Sequence, residues 1–231
     1  MGPEDAQSVD AGVEHAIGRG VSWQVTGWAR DNWNIIRETG EARVVNGKPV
    51  AASAFPQFSG TLDGPSRGVD VMLSRRSPTG VTGWVAYTYA HTKFRDHATG
   101  EQFDGDFDQR HTLNLFVEAR LSYRLAVNAR WRYGSNFPIV GYFTGTPENL
   151  KLGSARNEVR LPAYSRLDIR ANRTFTFSTR RLTLFIEVMN VLNHSNVGQF
   201  AGSINPVTLA AAGWTGALIP RVPSAGILIE F

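Results

Sequence analysis

Two adjacent runs between Arg160 and Asn193 constrain the fold of this chain more than any other feature. In the first, Tyr164, Arg166, Asp168, Arg170 and Asn172 alternate with Ser165, Leu167, Ile169, Ala171 and Arg173. Residues two apart share a side in an extended strand, so one face is polar and the other mostly apolar. Phe177, Ser178 and Thr179 then form a very short reversal. The second run puts Leu182, Leu184, Ile186 and Val188 on one face, with Thr183 and Glu187 on the other. The pair predicts a long β-hairpin. Its arms hold about ten or more residues, against roughly five or six in soluble strands and roughly nine to eleven in a tilted membrane-crossing strand.

The same unit recurs along the chain. Val9–Ile17 is a modest strand pattern, broken at Gly18-Arg19-Gly20. Val21–Arg30 sets Val21, Trp23 and Val25 against Ser22, Gln24, Thr26 and Arg30. Arg67–Arg76 alternates again, and Val81–Thr92 follows with Val85, Tyr87 and Tyr89 opposite Trp84, Ala86 and Thr88. His111–Leu121 carries Leu113, Leu115, Val117 and Ala119 on one side. From Tyr123, Leu125, Val127, Ala129, Trp131 and Tyr133 share a face, opposite Arg124, Ala126, Asn128, Arg130 and Arg132. A last strand is predicted over Arg221–Phe231.

These runs make about nine strands, with a regular rhythm in their connections. Short reversals fall near Gly18, Pro78, Ser122 and Ser178. Long connections fall near positions 34–65, 94–107, 136–162 and 194–219. Short and long alternate without exception. In an up-and-down antiparallel sheet, alternate connections lie at opposite ends, so all the short turns share one end. Outer-membrane barrels have that asymmetry. Aromatics near the strand ends of the apolar faces suit interfacial girdles. The Arg, Glu, Asp and Asn opposite them are costly in lipid but natural in a wet or protein-filled lumen. The predicted fold class is all-β, a transmembrane antiparallel up-and-down β-barrel, with about nine strands here. A soluble β-sandwich is the alternative; it also alternates, but usually with shorter strands.

Composition narrows the function classes. Cysteine is absent, which removes disulfides and thiolate metal sites. No apolar run reaches the roughly eighteen residues of a membrane helix. The first residues, MGPEDAQSVD, lack the basic start and apolar core of a signal peptide. The net charge is only +4 and the arginines are spread along strands, unlike a clustered nucleic-acid patch. There is no G-x-S-x-G, P-loop or H-E-x-x-H, so neither an enzyme nor a cofactor is expected.

A few residues stand out as candidate sites. Asp104-Gly105-Asp106-Phe107-Asp108 opens like a calcium loop, with Asp104, Asp106 and Asp108 as candidate ligands. Gln109 then stands where Gly is needed, and Leu115 where the bidentate Glu belongs. A solvated acidic loop is the competing reading. His91 or His97 with Asp96 is a conceivable acid–base pair. Trp33, Tyr142 and Trp214, read as loop residues, are candidates to stack on a sugar or an aromatic siderophore, or to pack the loops. Arg124, Arg130, Arg132, Arg166, Asp168 and Arg170 are expected on the lumen side, pairing with Glu118 and Glu187 or guiding an anionic ligand.

Four stretches, in this order, resemble the C-terminal barrel region of TonB-dependent outer-membrane receptors. They are GPSRGVDVMLSRRSPTGVTGWVAYTY from Gly64, FDQRHTLNLFVEARLSYRLAVNARWRYGSNFP from Phe107, the Leu161–Asn196 hairpin ending EVMNVLN, and the last strand closing at Phe231. Their order is most similar to the Oar-like, carboxypeptidase-regulatory-domain-bearing receptors. The resemblance implies a plugged barrel of about 22 strands in the outer membrane of a Gram-negative-type cell, for energy-coupled uptake of a siderophore, vitamin or glycan. The implied partners are outer-membrane lipid, the barrel-assembly machinery reading Phe231 as its signal, a plug domain, TonB and a small-molecule ligand. On this reading residues 1–8 are an extension or truncation edge, residues 9–231 are barrel, and the plug, TonB box and signal peptide are not in the sequence. The chain is then incomplete as a transporter. A small stand-alone structural or adhesive barrel and a soluble β-sandwich binding module are the alternatives.

Overall fold

A computed structural model describes residues 2–205 and 207–231. Nine long strands form one antiparallel sheet, each beside its neighbour in the chain. They are β1 (Asp5–Gly18), β2 (Val21–Glu38), β3 (Phe58–Arg75), β4 (Val81–Asp96), β5 (His111–Arg120), β6 (Leu125–Gly134), β7 (Tyr164–Phe177), β8 (Arg180–Met189) and β9 (Val222–Glu230). Among the described residues β1 and β9 are the edges of this sheet. A short strand, Gln102–Asp104, extends it by pairing with the far end of β4.

The register explains the alternation. Trp23, Leu73, Val85, Leu115, Trp131 and Leu167 lie opposite one another in a single row across six strands. One residue away, Ser22, Ser74, Trp84, Phe116, Arg130 and Asp168 form the matching row on the other face. A slip of one residue in any strand would exchange the two faces, so the pattern specifies the pairing. The apolar row starts beside the β1–β2 turn and ends near the opposite end of the sheet, at the start of β7. That stagger is what tilted barrel strands produce. On the polar face two aromatic rings lie across glycines: Trp28 over Gly68 and Phe185 over Gly226.

All four short turns do lie at one end. The strands run further than alternation predicts at the other end. β2 continues past Arg30 to Glu38, β3 begins at Phe58 instead of Arg67, and β4 continues past Thr92 to Asp96. Main-chain pairing persists there after the apolar alternation has stopped, with irregular register between Asn32 and Ile35 and between Ile35 and Arg37. β1 begins at Asp5, so pairing reaches into the stretch predicted as an extension. Tyr123 and Arg124 are not on a strand as expected. They lie in the β5–β6 turn, where the Leu121 and Ser122 N–H groups reach the Leu125 carbonyl at 2.9 and 3.1 Å.

The long connections are not irregular throughout. Arg43–Val45 pairs with Lys48–Val50, Phe143–Thr146 with Asn149–Leu152, and Val197–Ile204 with Ala211–Ala217. A cluster of buried apolar residues sits there, outside the wall: Ile139, Phe143, Leu150 and Val159, packed by Leu161, Ile204 and Ala211. No helix among the described residues is long and apolar enough to cross a membrane.

Candidate functional site

The long connections gather at one end of the sheet; charged side chains tie the first three together, and the fourth packs on the third through Ile204 and Ala211. Arg156, from the third connection, is only 5% exposed in its side chain. Its Nε donates to Glu41 of the first connection at 3.0 Å, and its Nη1 to Asp106 of the second. Burial works against its charge; the bonds to Asp106 and Glu41 outweigh it and raise the Arg156 pKa above the usual arginine value. Asn157 adds bonds to the Asp104 carbonyl and the Asp106 carboxylate, both 2.8 Å. Arg160 reaches Asp104 at 2.6 Å and the buried Asp108 at 2.7 Å, and Arg110 holds the same two carboxylates.

Asp104 therefore feels opposing effects. Burial raises its pKa, but hydrogen bonds from His91 and Arg160 and the charges of Arg110 and Arg160 hold it below the usual 3.8. Asp96 is held down in the same way by Arg37, Thr61 and the Ala98 N–H. Tyr142 is 1% exposed. Its hydroxyl donates to Glu101 at 2.7 Å and accepts from Arg43 at 2.5 Å. Burial and the Glu101 carboxylate raise its pKa, so the phenol stays a donor. Phe103 is buried between two guanidinium groups, with Arg37 at 4.9 Å and Arg156 at 5.2 Å from its ring centre. Beside it opens a cavity of about 330 Å³ lined by Ile35, Leu62, Phe94, Phe103, Phe107 and Arg156.

On the polar face of the wall, Arg130, Arg132, Arg166, Asp168 and Arg170 share one side. Arg166 pairs with Asp168 at 2.8 Å. Arg170 lies over the Phe185 ring at 3.8 Å and reaches Glu187 at 4.0 Å. Among the described residues no carboxylate lies within 4.0 Å of Arg130 or Arg132. Arg130, Arg166, Asp168 and Arg170 border a trough of about 580 Å³ floored by Trp84 and Phe116.

Other candidates fall elsewhere. The Asp104, Asp106 and Asp108 carboxylates are each occupied by arginines, which neutralise them without a cation; His91 joins Asp104 and Asp108, with ligand atoms within 4.8 Å. His91 and His97 do not gather around Asp96. His91 meets Asp104, His97 meets Asp63, and Asp96 is taken by Arg37 and Thr61. Trp33 stands on β2 opposite Asp5, not in a loop. Tyr142 packs inside the loops. Trp214 pairs through its backbone with Ala201, and its side chain lies outside the described residues. Arg124 sits in the β5–β6 turn with its guanidinium 4.8 Å from the Tyr123 ring centre. Phe231 is 88% exposed. Sequence reasoning missed Arg37, Glu41, Arg156 and Arg160, because their partners lie far along the chain and form no local pattern.

Comparison with known proteins agrees with this architecture. Residues 2–191 match the family described as TonB dependent receptor-like, beta-barrel. The fold is similar to that of the ferric-catecholate import receptor Fiu of E. coli K12, at 13% identity and a TM-score of 0.59, over 99% of this chain and 27% of that one. It is also similar to the ferric enterobactin receptor PfeA of Pseudomonas aeruginosa, at 17% identity and a TM-score of 0.63, over 97% of this chain and 31% of that one. The chain thus spans less than a third of either receptor. No curated protein sequence matches it. With most of its length matched by one family, the chain belongs to the TonB-dependent receptor β-barrels, of which it forms part of the wall and outer loops.

Proposed function

We propose that this wall and its loops serve energy-coupled uptake of a scarce nutrient across an outer membrane, with a siderophore as the leading class and a vitamin or glycan behind it. The observation that carries the reading is the pairing of two features on one sheet. An apolar face suits lipid, and the opposite face carries Arg130 and Arg132 with no carboxylate within 4.0 Å among the described residues, although Asp168 stands opposite Arg130 in register, under a roof of cross-tied loops. Such a face attracts anionic groups at close range in a lumen of reduced dielectric. One similar receptor is named for import of ferric catecholate, an anionic complex, and the other for ferric enterobactin. In this reading Arg130, Arg132 and Arg170 guide an anionic ligand or pair with acids of a plug domain. Trp33 and Trp214 are the aromatic candidates for ligand contact. TonB supplies the energy through the plug, and Phe231 closes the last strand as the signal to the barrel-assembly machinery.

The test is uptake of iron presented as a ferric catecholate by cells whose receptor carries this chain, with and without TonB. Uptake that vanishes without TonB is expected. Uptake that persists without TonB, or never exceeds that of receptor-free cells, would overturn the reading. Replacing Arg130 and Arg132 together by Gln is expected to weaken ligand capture while leaving membrane insertion intact.

A further inference from the structure

The turn end of the sheet is unusually basic. Its turns and the rungs beside them hold eight arginines and three acids, Glu14, Glu118 and Glu230. Two of the acids are already matched. Glu118 lies 3.6 Å from Arg120, and Glu230 lies 3.7 Å from Arg181. That leaves Arg19, Arg75, Arg76, Arg124, Arg173 and Arg180 with no carboxylate within 4.0 Å among the described residues. The loop end is the reverse, with acids interleaved among its arginines.

Three of these six have a further property. Arg173 stands on the apolar face, between Leu125 and Leu184 in register, with its guanidinium 5.2 Å from the Phe175 ring centre. Arg180 shares that face opposite Phe177, and lies 5.4 Å from the Phe231 ring centre. Arg124 lies 4.8 Å from Tyr123. Aromatic rings at this level mark a membrane interface. A guanidinium over such a ring keeps its N–H edge free, and that edge matches a phosphate in two-pronged geometry.

We propose that this cationic, aromatic collar binds the phosphate groups of anionic glycerophospholipids in the leaflet at the turn end. The inference rests on the membrane placement of the wall. The apolar face supplies the acyl contact and the arginines supply the headgroup contact, so the collar sets the depth of the barrel. Each arginine near an anionic surface strengthens attraction by roughly fivefold.

The test is flotation of the full chain with vesicles of phosphatidylcholine alone or with a minority of phosphatidylglycerol. Expected is at least tenfold stronger association with the anionic vesicles, weakening as salt rises. The triple variant Arg124→Gln, Arg173→Gln, Arg180→Gln loses most of that difference but still enters neutral vesicles. The corresponding triple Lys variant keeps much of it, which separates charge from folding defects. Arg67→Gln, at the loop end, leaves it unchanged. Equal association of the parent chain with both vesicles would overturn the proposal while leaving the membrane reading intact. Failure to enter either vesicle would overturn the membrane reading itself.

Discussion

The Phe185 ring lies across Gly226 of the neighbouring strand, so close that a Cβ on the glycine would stand 2.4 Å from the ring. Arg170 stacks on that ring, with its guanidinium carbon 3.8 Å from the ring centre. Gly226→Ala must displace the ring and that stack. An overpacked contact of this kind costs about 1–3 kcal/mol. Urea unfolding of the variant is expected to show that loss. Because the residues touch, Phe185→Ala in the same chain should recover part of it, and strictly additive costs would refute the account.

Arg156 joins three connections through a buried guanidinium. Arg156→Met removes the cation and leaves Glu41 and Asp106 without it. Those carboxylates are partly exposed, 21% and 35% in their side chains, so water solvates them in part and the loss is about 1–3 kcal/mol. The loss is expected to be local. Protease cleavage in residues 39–57 and 97–110 should rise strongly, while strand amides of β5 to β8 keep their hydrogen-exchange protection.

Acid should loosen the same region. Asp96 and Asp104 have folded-state pKa values below the ordinary 3.8. The stabilisation is therefore present above 3.8 and is lost as pH falls through the lower folded values. Limited proteolysis or exchange in the loops, followed from pH 6 downwards, should change little until about pH 4 and rise below it. A transition centred well above pH 4 would refute the account.

Asn190 is fully buried and has a left-handed backbone, with φ of 50°. Its amide donates to the His194 and Ile219 carbonyls at 3.0 and 3.1 Å and accepts from the His194 N–H at 3.1 Å. Asn190→Ala leaves these three groups unpaired, at about 1–3 kcal/mol for each group that water cannot reach. Asn190→Asp keeps the acceptor only and should fall between the two. The readout is thermal unfolding together with exchange at residues 191–196.

Much of the wall was legible in the sequence because its physics is local. Leu182, Leu184, Ile186 and Val188 must share a face in any strand, and the short reversal at Ser178 makes β7 and β8 neighbours. The strand ends were less legible. Ile35 pairs with Leu62 and Leu62 with Asp96, but neither partner sits in an alternating run, so nothing local marks the pairing. Tyr123 completes an alternating pattern and yet lies in a turn, since two N–H groups converging on the Leu125 carbonyl decide its backbone. The candidate site was legible in part. The one-sided array of Arg130, Arg132, Arg166 and Arg170 follows from period two alone. The roof does not, because Arg156 finds its partners 50 and 115 residues away.

That separation also orders events in time. Each wall strand pairs with the next one in the chain, so the wall can grow by adding hairpins, at a small loop-closure cost for each. The Arg156–Glu41 tie must wait until β3 to β6 stand between its ends, and contacts of long sequence separation form late. It is also a tie among exposed connections, where local opening costs least. The roof is thus the last part to assemble and the first to open, a door whose hinges are independent of the frame.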